Sequence, residues 1–427
     1  MPELGSLPPE TERLVHQIGS ADLAVGIASY NHAETVGAVV AAAAAGLRRF
    51  FPGVRSAVLH ADGGSRDGSA ERVLQAAADG LLVQAPFPLD SAARPPGVGP
   101  GHPGRSAALR VLFDLARRLG VRGLAVVEPD LLGVTGEWIG RLLAPVFEDE
   151  ADFVTPYYVR HRFGGAITNS IVYPFTRALY GKRLRYPLGG DFACSGRLVE
   201  RALEQDVWHG DLARLGLLDV WLVTEALCGG FRLAQAFLGV KAQAGADGAL
   251  DLSLVLSRVL GALFLEAERR VAVWQKVRGS EPVPLRGRPE PSTAEPVTVD
   301  LARSLAAFRL GQQNLHEVWG LVLPPLTLLE LRKLAARSDE AFRFPDELWA
   351  RIVYDFALAH RMRVMNRDHL LAAFVPLYHG WLGSFVAEMR EASLDETEQR
   401  IERLCLRYES EKPYLISRWR WPDRFTP

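Results

Sequence analysis

Cysteine is scarce: Cys194, Cys228 and Cys405 are the only three, far apart and without paired metal-ligand spacing. That excludes a disulfide framework and a cysteine-rich zinc site. A chain this long buries a core without covalent staples, so a reducing compartment, the cytoplasm, is expected. An excess of one charge is lacking too, with 49 Lys+Arg against 50 Asp+Glu. No overall field then draws the chain to nucleic acid or to an anionic membrane, and any phosphate binding must come from a local site. The most apolar early stretch, Val36–Gly46, is alanine-rich and well short of the ~20 residues that span a bilayer. The opening MPELGSLPPETERL carries acids and prolines where a signal peptide needs a basic start and an apolar run. A soluble, cytoplasmic protein without a membrane span is expected. Hydrophobic residues at 48% and charged residues at 23% fit a globular fold and not a disordered one.

What is present alternates. Asp22–Ser29 (DLAVGIAS) reads as a buried strand, Thr35–Phe50 as a helix, and Val54–His60 as a second strand. A helix near 70–79, a short strand at Leu81–Ala85, a helix at Ser106–Leu119 and the apolar strand Val121–Val127 follow. Strand and helix in this rhythm predict an α/β fold with a doubly wound, mostly parallel sheet. Ligands of such sheets bind beyond the carboxyl ends of the strands, where Asn31, Asp62 and Glu128-Pro129-Asp130 fall. The pattern turns helical at Leu252–Val277, is broken by the Pro/Gly-rich run Gly279–Pro296, and is helical again after Val299. Helices are expected near 300–320, 326–337, 345–360, 367–374 and 376–392. The division is an N-terminal arm (1–20), an α/β domain (21–270), a linker or extended arm (271–299) and a helical C-terminal region (300–427).

Six segments at or near the strand ends carry candidate chemistry, each with a plainer alternative. SYNHAET (Ser29–Thr35) runs from strand into helix, where free backbone N–H groups favour a nucleotide's polar edges; a simple Asn/His turn is the other reading. In Asp62–Gly68 (DGGSRDG) glycines permit close backbone approach, or Asp67 merely caps a tight loop. Gly97–Arg105 (GVGPGHPGR) is a glycine-rich loop ending in a cation at a helix start, a diphosphate cradle or a surface loop. It is no Walker A, because the Gly-Lys-Ser/Thr ending is missing. Glu128 and Asp130 at the end of a buried strand suit a hard divalent cation bridging a diphosphate, or a helix cap. Asp191 follows the double-glycine turn Pro187–Gly190, and Asp219 opens an apolar helix, as ligand contact or as N-cap.

In their order, SYNHAET, DGGSRDGS, PGHPGRSAALR, EPD, HRFGGAITNS, PLGGDF, GLLDVW and AFLGVKAQ resemble the blocks of retaining GT-A glycosyltransferases of the mannosylglycerate synthase and glucosyl-3-phosphoglycerate synthase type. The resemblance covers roughly residues 20–270, and the helical remainder resembles the C-terminal region of mannosylglycerate synthase. It implies a GT-A fold moving a hexose, with retention, from a nucleotide diphosphate sugar to a small hydroxylated or anionic acceptor. Ser29, Asn31, Glu34 and Asp62 would line the nucleoside pocket, and Gly104 and Arg105 would approach the diphosphate. Glu128, Asp130 and Gln243 would hold Mg²⁺ or Mn²⁺. Arg160 and Thr168 would contact an acceptor carboxylate, Gly190 and Asp191 the donor sugar or acceptor, and Asp219 the reacting centre, with Asp191 and Asp219 as the catalytic candidates.

Four positions depart from that pattern. The first acid of the metal motif is Glu128, one methylene longer. Arg105 replaces a lysine and fans its donors differently. Gln243 stands where a metal-binding histidine is expected and brings no charge, and Gly164 replaces an acidic acceptor contact. Two readings therefore stand: an active transferase, and a GT-A homologue that binds a nucleotide sugar or a partner without turnover. Trp349, Tyr354, Phe374 and Trp381 are either ordinary core or an oligomer contact on the C-terminal helices.

Overall fold

Every side chain of the first strand, β1 (Leu23–Ser29), is buried, as a strand covered by helices on both faces must be. The computed structural model describes residues 7–77, 82–87, 104–214, 216–244, 252–288, 294 and 296–420, and β1 lies inside an eight-stranded sheet. β2 (Ser56–Asp62) and β3 (Leu82–Pro86) follow outward on one side and β4 (Gly123–Val127) lies on the other, all parallel. Next to β4 comes Phe192–Ser195, antiparallel to it and to Phe153–Val159. Phe153–Val159 then pairs in parallel with Leu233–Val240, and Leu285–Arg286 forms the edge. The winding reverses at the β1–β4 seam, the place beyond whose carboxyl ends sheets of this kind bind ligands.

After a first helix, α1 (Pro9–Ile18), come α2 (Val36–Phe50), α3 (Ser69–Ala76), α4 (Arg105–Arg118) and α5 (Gly136–Phe147). Leu23, Val25 and Ile27 of β1 join one core with Val39 and Val40 of α2 and Ile139 and Leu142 of α5. On the opposite face Gly26 lies against Leu112 of α4. The α/β, doubly wound, mostly parallel sheet expected from the sequence is present, and a helical C-terminal region follows it.

The chain divides into two compact units. The first comprises Met1–Val159, Leu184–Ala249 and Val283–Ala294 and holds the whole eight-stranded sheet. The second comprises Arg160–Arg183, Leu250–Pro282 and Glu295–Pro427. Its main helices are Leu252–Arg269, Leu301–Asn314, Pro325–Ala335, Asp346–Met362, Arg367–Met389 and Leu394–Arg420. Trp349, Tyr354, Phe374 and Trp381 are its core: the Trp349 ring stacks 5.8 Å from Trp381 and lies 5.3 Å from Phe374. These aromatics are accounted for without a partner. Two helices were expected at 367–374 and 376–392, but one helix runs through Pro376. The proline removes one backbone donor, while Trp319 Nε1 donates to Ala373 O at 2.8 Å in the affected turn and packing holds the axis. Arg367–Met389 has the length and apolarity of a membrane span, yet 72% of its most apolar window is buried in the protein, as in a core helix.

In the first unit α2 and α5 approach closely because Gly46 meets Gly136. A Cβ on Gly46 would lie 2.7 Å from both Gly136 O and Ile139 Cβ. Gly46→Ala is expected to cost about 1–3 kcal/mol through overpacking. Urea unfolding of the variant checks this, and an unchanged midpoint would refute the tight approach.

Candidate functional site

The carboxyl ends of β1 and β2 carry two loops that form one body. Asn31 takes the left-handed conformation (φ 58°) that asparagine tolerates better than most residues. Its Oδ1 accepts from the Arg66 amide at 3.0 Å, and its own amide donates to Ser65 Oγ at 2.9 Å. The His32 and Ala33 amides donate to Ser69 Oγ (2.8 Å) and Asp67 Oδ2 (2.9 Å). Backbone donors expected to await a ligand are thus engaged by the neighbouring loop. Asp62 accepts from the amides of Gly64 and Ser65 and from Ser65 Oγ, so it shapes its own turn. Glu34 and Asn31 are exposed. Thr35 Oγ1 donates to Pro129 O at 2.8 Å, tying these loops to the acids after β4.

Ser29 is buried, its hydroxyl 2.8 Å from His60 Nε2. Gln84 Nε2 lies 3.0 Å from His60 Nδ1. With the carboxamide donating there, the imidazole's own N–H lies on Nε2 and donates to Ser29. Burial pushes the His60 imidazole down to about 4, against the opposing pull of Asp62.

The acids converge because the antiparallel strand Phe192–Ser195 starts beside the end of β4. Val126 faces Phe192 in the register, so Asp191 reaches the next amide: Glu128 N–H donates to Asp191 Oδ1 at 2.8 Å. Asp191 Oδ2 accepts from the Tyr158 hydroxyl and from Lys241 Nζ, the latter at 3.0 Å. Lys241 leaves the end of strand Leu233–Val240 and also donates to the Glu128 carboxylate and, at 2.7 Å, to Gly189 O. Burial pushes the Glu128 carboxyl up to about 7 while the Lys241 ammonium pulls it down. Ala242–Gln243 pairs antiparallel with Leu131–Leu132, which sets Gln243 beside Asp130.

Arg105 is the first residue of α4, directly after the buried Gly104, and is itself fully buried. It donates to Asp219 Oδ1 (2.9 Å) and Gly190 O (2.7 Å) through Nη2 and to Asp219 Oδ2 (3.4 Å) through Nε. Burial works against its charge, but Asp219, Glu128 and Asp191 outweigh that and raise its pKa. Its Nη1 is buried and has no hydrogen-bond partner among the described residues. Asp219 sits within the helix Leu218–Cys228, whose N-cap is Leu217, so its carboxylate serves Arg105 and no cap.

Arg105, Glu128, Asp130, Gly190, Asp191, Asp219 and Gln243 therefore share one network in the first unit. Arg160 and Thr168 belong to the second unit. The loop residues 97–103 lie outside the described residues. Sequence reasoning missed Lys241, Tyr158 and His60; the one available signal was a lysine directly after the buried strand of AFLGVKAQ.

A hard divalent cation such as Mg²⁺ or Mn²⁺ favours oxygen ligands. Here Gln243 presents its amide nitrogen, 3.2 Å from Glu128 Oε2 and from both oxygens of Asp130. Carboxylates on both sides demand the donor end of the carboxamide. Among the described residues no group of three His, Cys, Asp or Glu converges at metal-binding distance. This donor set does not fit the cation that the resemblance implies.

No protein-family model matches the chain, and no curated protein matches it at a significant level. Solved structures are similar to it. Glucosyl-3-phosphoglycerate synthase from Mycobacterium tuberculosis with phosphoglyceric acid is 19% identical over 63% of this chain and 86% of that one (TM-score 0.37). The same enzyme with Mn²⁺, UDP-glucose and phosphoglyceric acid is 21% identical over 62% and 86% (TM-score 0.38). A mycobacterial protein is 20% identical over 61% and 78% (TM-score 0.38).

Two outcomes follow from the geometry. An unfolded histidine binds its proton near pH 6.5 and the folded His60 only near 4. The unfolded state thus holds the extra proton between those values, and stability falls as pH drops through that window. In His60→Gln the acid limb of a stability-against-pH curve should flatten there; identical limbs would exclude His60 as the cause. At Gly190 (φ 87°) a Cβ would lie 2.4 Å from the Glu128 carboxyl, whereas at Gly64 (φ 83°) it meets nothing within 4 Å. Gly190→Ala should therefore lower thermal stability by about 1–3 kcal/mol more than Gly64→Ala, and equal losses in thermal melts would mean that Glu128 yields freely.

Proposed function

We propose that the chain is a glycosyltransferase of the retaining GT-A type that moves a hexose from a nucleoside diphosphate sugar to a small hydroxylated, anionic acceptor. One observation carries this reading. Arg105, Glu128, Asp130, Asp191 and Asp219, drawn from four separate segments, meet beside the winding reversal of a mostly parallel sheet, where such sheets bind ligands. Nothing in the packing of the core requires so many buried charges in one place, and buried charges brought together at a crevice mark functional sites.

In this reading the loops after β1 and β2 hold the nucleoside. The start of α4 and Arg105 hold the diphosphate, since helix N-termini and guanidinium groups both favour phosphate. As the bond from the anomeric carbon to the diphosphate oxygen breaks, its electron pair goes to the diphosphate. Arg105, preorganised by Asp219 and Gly190 O, stabilises that developing charge. The acceptor hydroxyl forms the new bond on the same face and gives its proton to the departing oxygen, which preserves the anomeric configuration. Asp191 and Asp219 act as positioning residues, because their oxygens are spent on Glu128 N–H, Tyr158, Lys241 and Arg105.

A screen of UDP-, GDP- and ADP-hexoses against glycerate, phosphoglycerate and sugar acceptors tests this. Transfer with retention is expected for one donor class, and Arg105→Lys should lose on the order of 10²-fold in kcat/KM. Binding without turnover selects the binding-protein reading, which the engaged Gln243 and Lys241 favour. Absence of binding by every donor ends the transferase reading and leaves, of the second, only a homologue that binds a partner.

A further inference from the structure

We infer that the Lys241 ammonium is the resident cation of this site and that the nucleotide is held there without a divalent metal. The inference rests on the proposed transferase reading for its ligand and on the site's own donor chemistry for the rest.

Three acceptors surround the ammonium: the Glu128 carboxylate, Asp191 Oδ2 and Gly189 O. An ammonium has three hydrogens to give, so its hydrogen-bonding capacity is met inside the protein. The Tyr158 ring lies 5.1 Å from it, and the side chain is only 3% exposed. Such complete satisfaction is what keeps a charged lysine inside a protein. Gln243 completes the arrangement by donating to Glu128 and Asp130. The two acids after β4 thus already face a positive charge and an amide donor. A dication between them would have to displace Gln243 and share Glu128 with a buried ammonium, leaving two like charges together in a low-dielectric place. Lys241 in turn has no hydrogen to offer a phosphate. The group left for the diphosphate is Arg105, whose Nη1 is buried without a partner among the described residues. The network separates two tasks that one metal usually combines: Lys241 neutralises the acids, and Arg105 meets the ligand.

Two measurements on the intact protein, stripped of metal with a chelating resin, decide the matter. Titration with Mn²⁺ alone, followed by the electron paramagnetic resonance of the free ion, should show no tight uptake. Calorimetry with UDP, GDP and ADP should give, for the base that binds, affinities in EDTA and in excess Mn²⁺ that agree within about twofold. In Lys241→Met the diphosphate should bind at least about tenfold more weakly in EDTA and recover when Mn²⁺ is added. Tight Mn²⁺ uptake by the unaltered protein, or a tenfold or larger gain in nucleotide affinity on adding it, overturns the inference. So does a Lys241→Met variant that binds the nucleotide normally in EDTA. Should that variant fail to fold, the unaltered protein still decides. If no nucleotide binds under any condition, the transferase reading falls, while the Mn²⁺ titration judges the lysine on its own.

Discussion

Asp191 holds three things at once: the Glu128 amide, the Tyr158 hydroxyl and the Lys241 ammonium. It can do so because one short antiparallel strand enters the sheet beside β4, and the acid just ahead of that strand faces the end of β4. A carboxylate that is 1% exposed is accommodated only where its acceptors are filled and an opposite charge adjoins it. The neighbouring acids and bases inherit their places from this residue. Lys241 is drawn in by Asp191 and Glu128, and Gln243 follows from the same strand end onto Asp130. Arg105 forms the second half, fastened to Asp219 and to the carbonyl of Gly190.

Buried ion pairs of this kind add little to stability, because desolvation offsets most of their attraction. Their value lies in geometry. The proposed transfer depends on dipoles and charges that are already oriented when charge develops, and a guanidinium held at two nitrogens cannot swing away. The loops above β1 and β2 are fixed in the same spirit: side chains of the second loop and Asn31 of the first supply each other's backbone partners. The strand ends are thus bordered by preset groups, not by side chains that must be recruited.

The second unit is built on different physics. Large aromatic rings fill it, with Trp349 in contact with Phe344, Phe374, Tyr378 and Trp381. Arg177, wholly buried, pairs with Glu402 and Glu409 of its last helix. Lys412 donates to the carbonyls of Ala178, Leu179 and Val277, and burial pushes its pKa down to about 8. Long helices carry prolines at 376 and 413 without breaking, since tertiary packing outweighs the loss of a single backbone bond.

Periodicity and punctuation alone determined that this chain alternates strand and helix and then becomes helical. Apolar runs such as LAVGIAS and GLAVV can be buried on both faces only in a helix-covered parallel sheet, and that property is local. The same local logic put Asn31, Asp62, Glu128 and Asp130 at strand ends. It could not tell which groups those residues would meet, because a partner's identity depends on strand order. Two strands lie between the strand before Lys241 and the strand before Glu128, and only the pairing of Ala242–Gln243 with Leu131–Leu132 beyond them brings their ends together, although 113 positions separate Lys241 and Glu128. The same holds for Asp219, where a helix-opening acid and a ligand-facing acid look alike until Arg105 arrives from another helix. The assignment of Glu128, Asp130 and Gln243 to a metal was likewise a reading of residue types. The folded chain turned the glutamine's nitrogen toward both acids and placed a lysine among them, because buried carboxylates gather whichever positive groups the topology brings within reach.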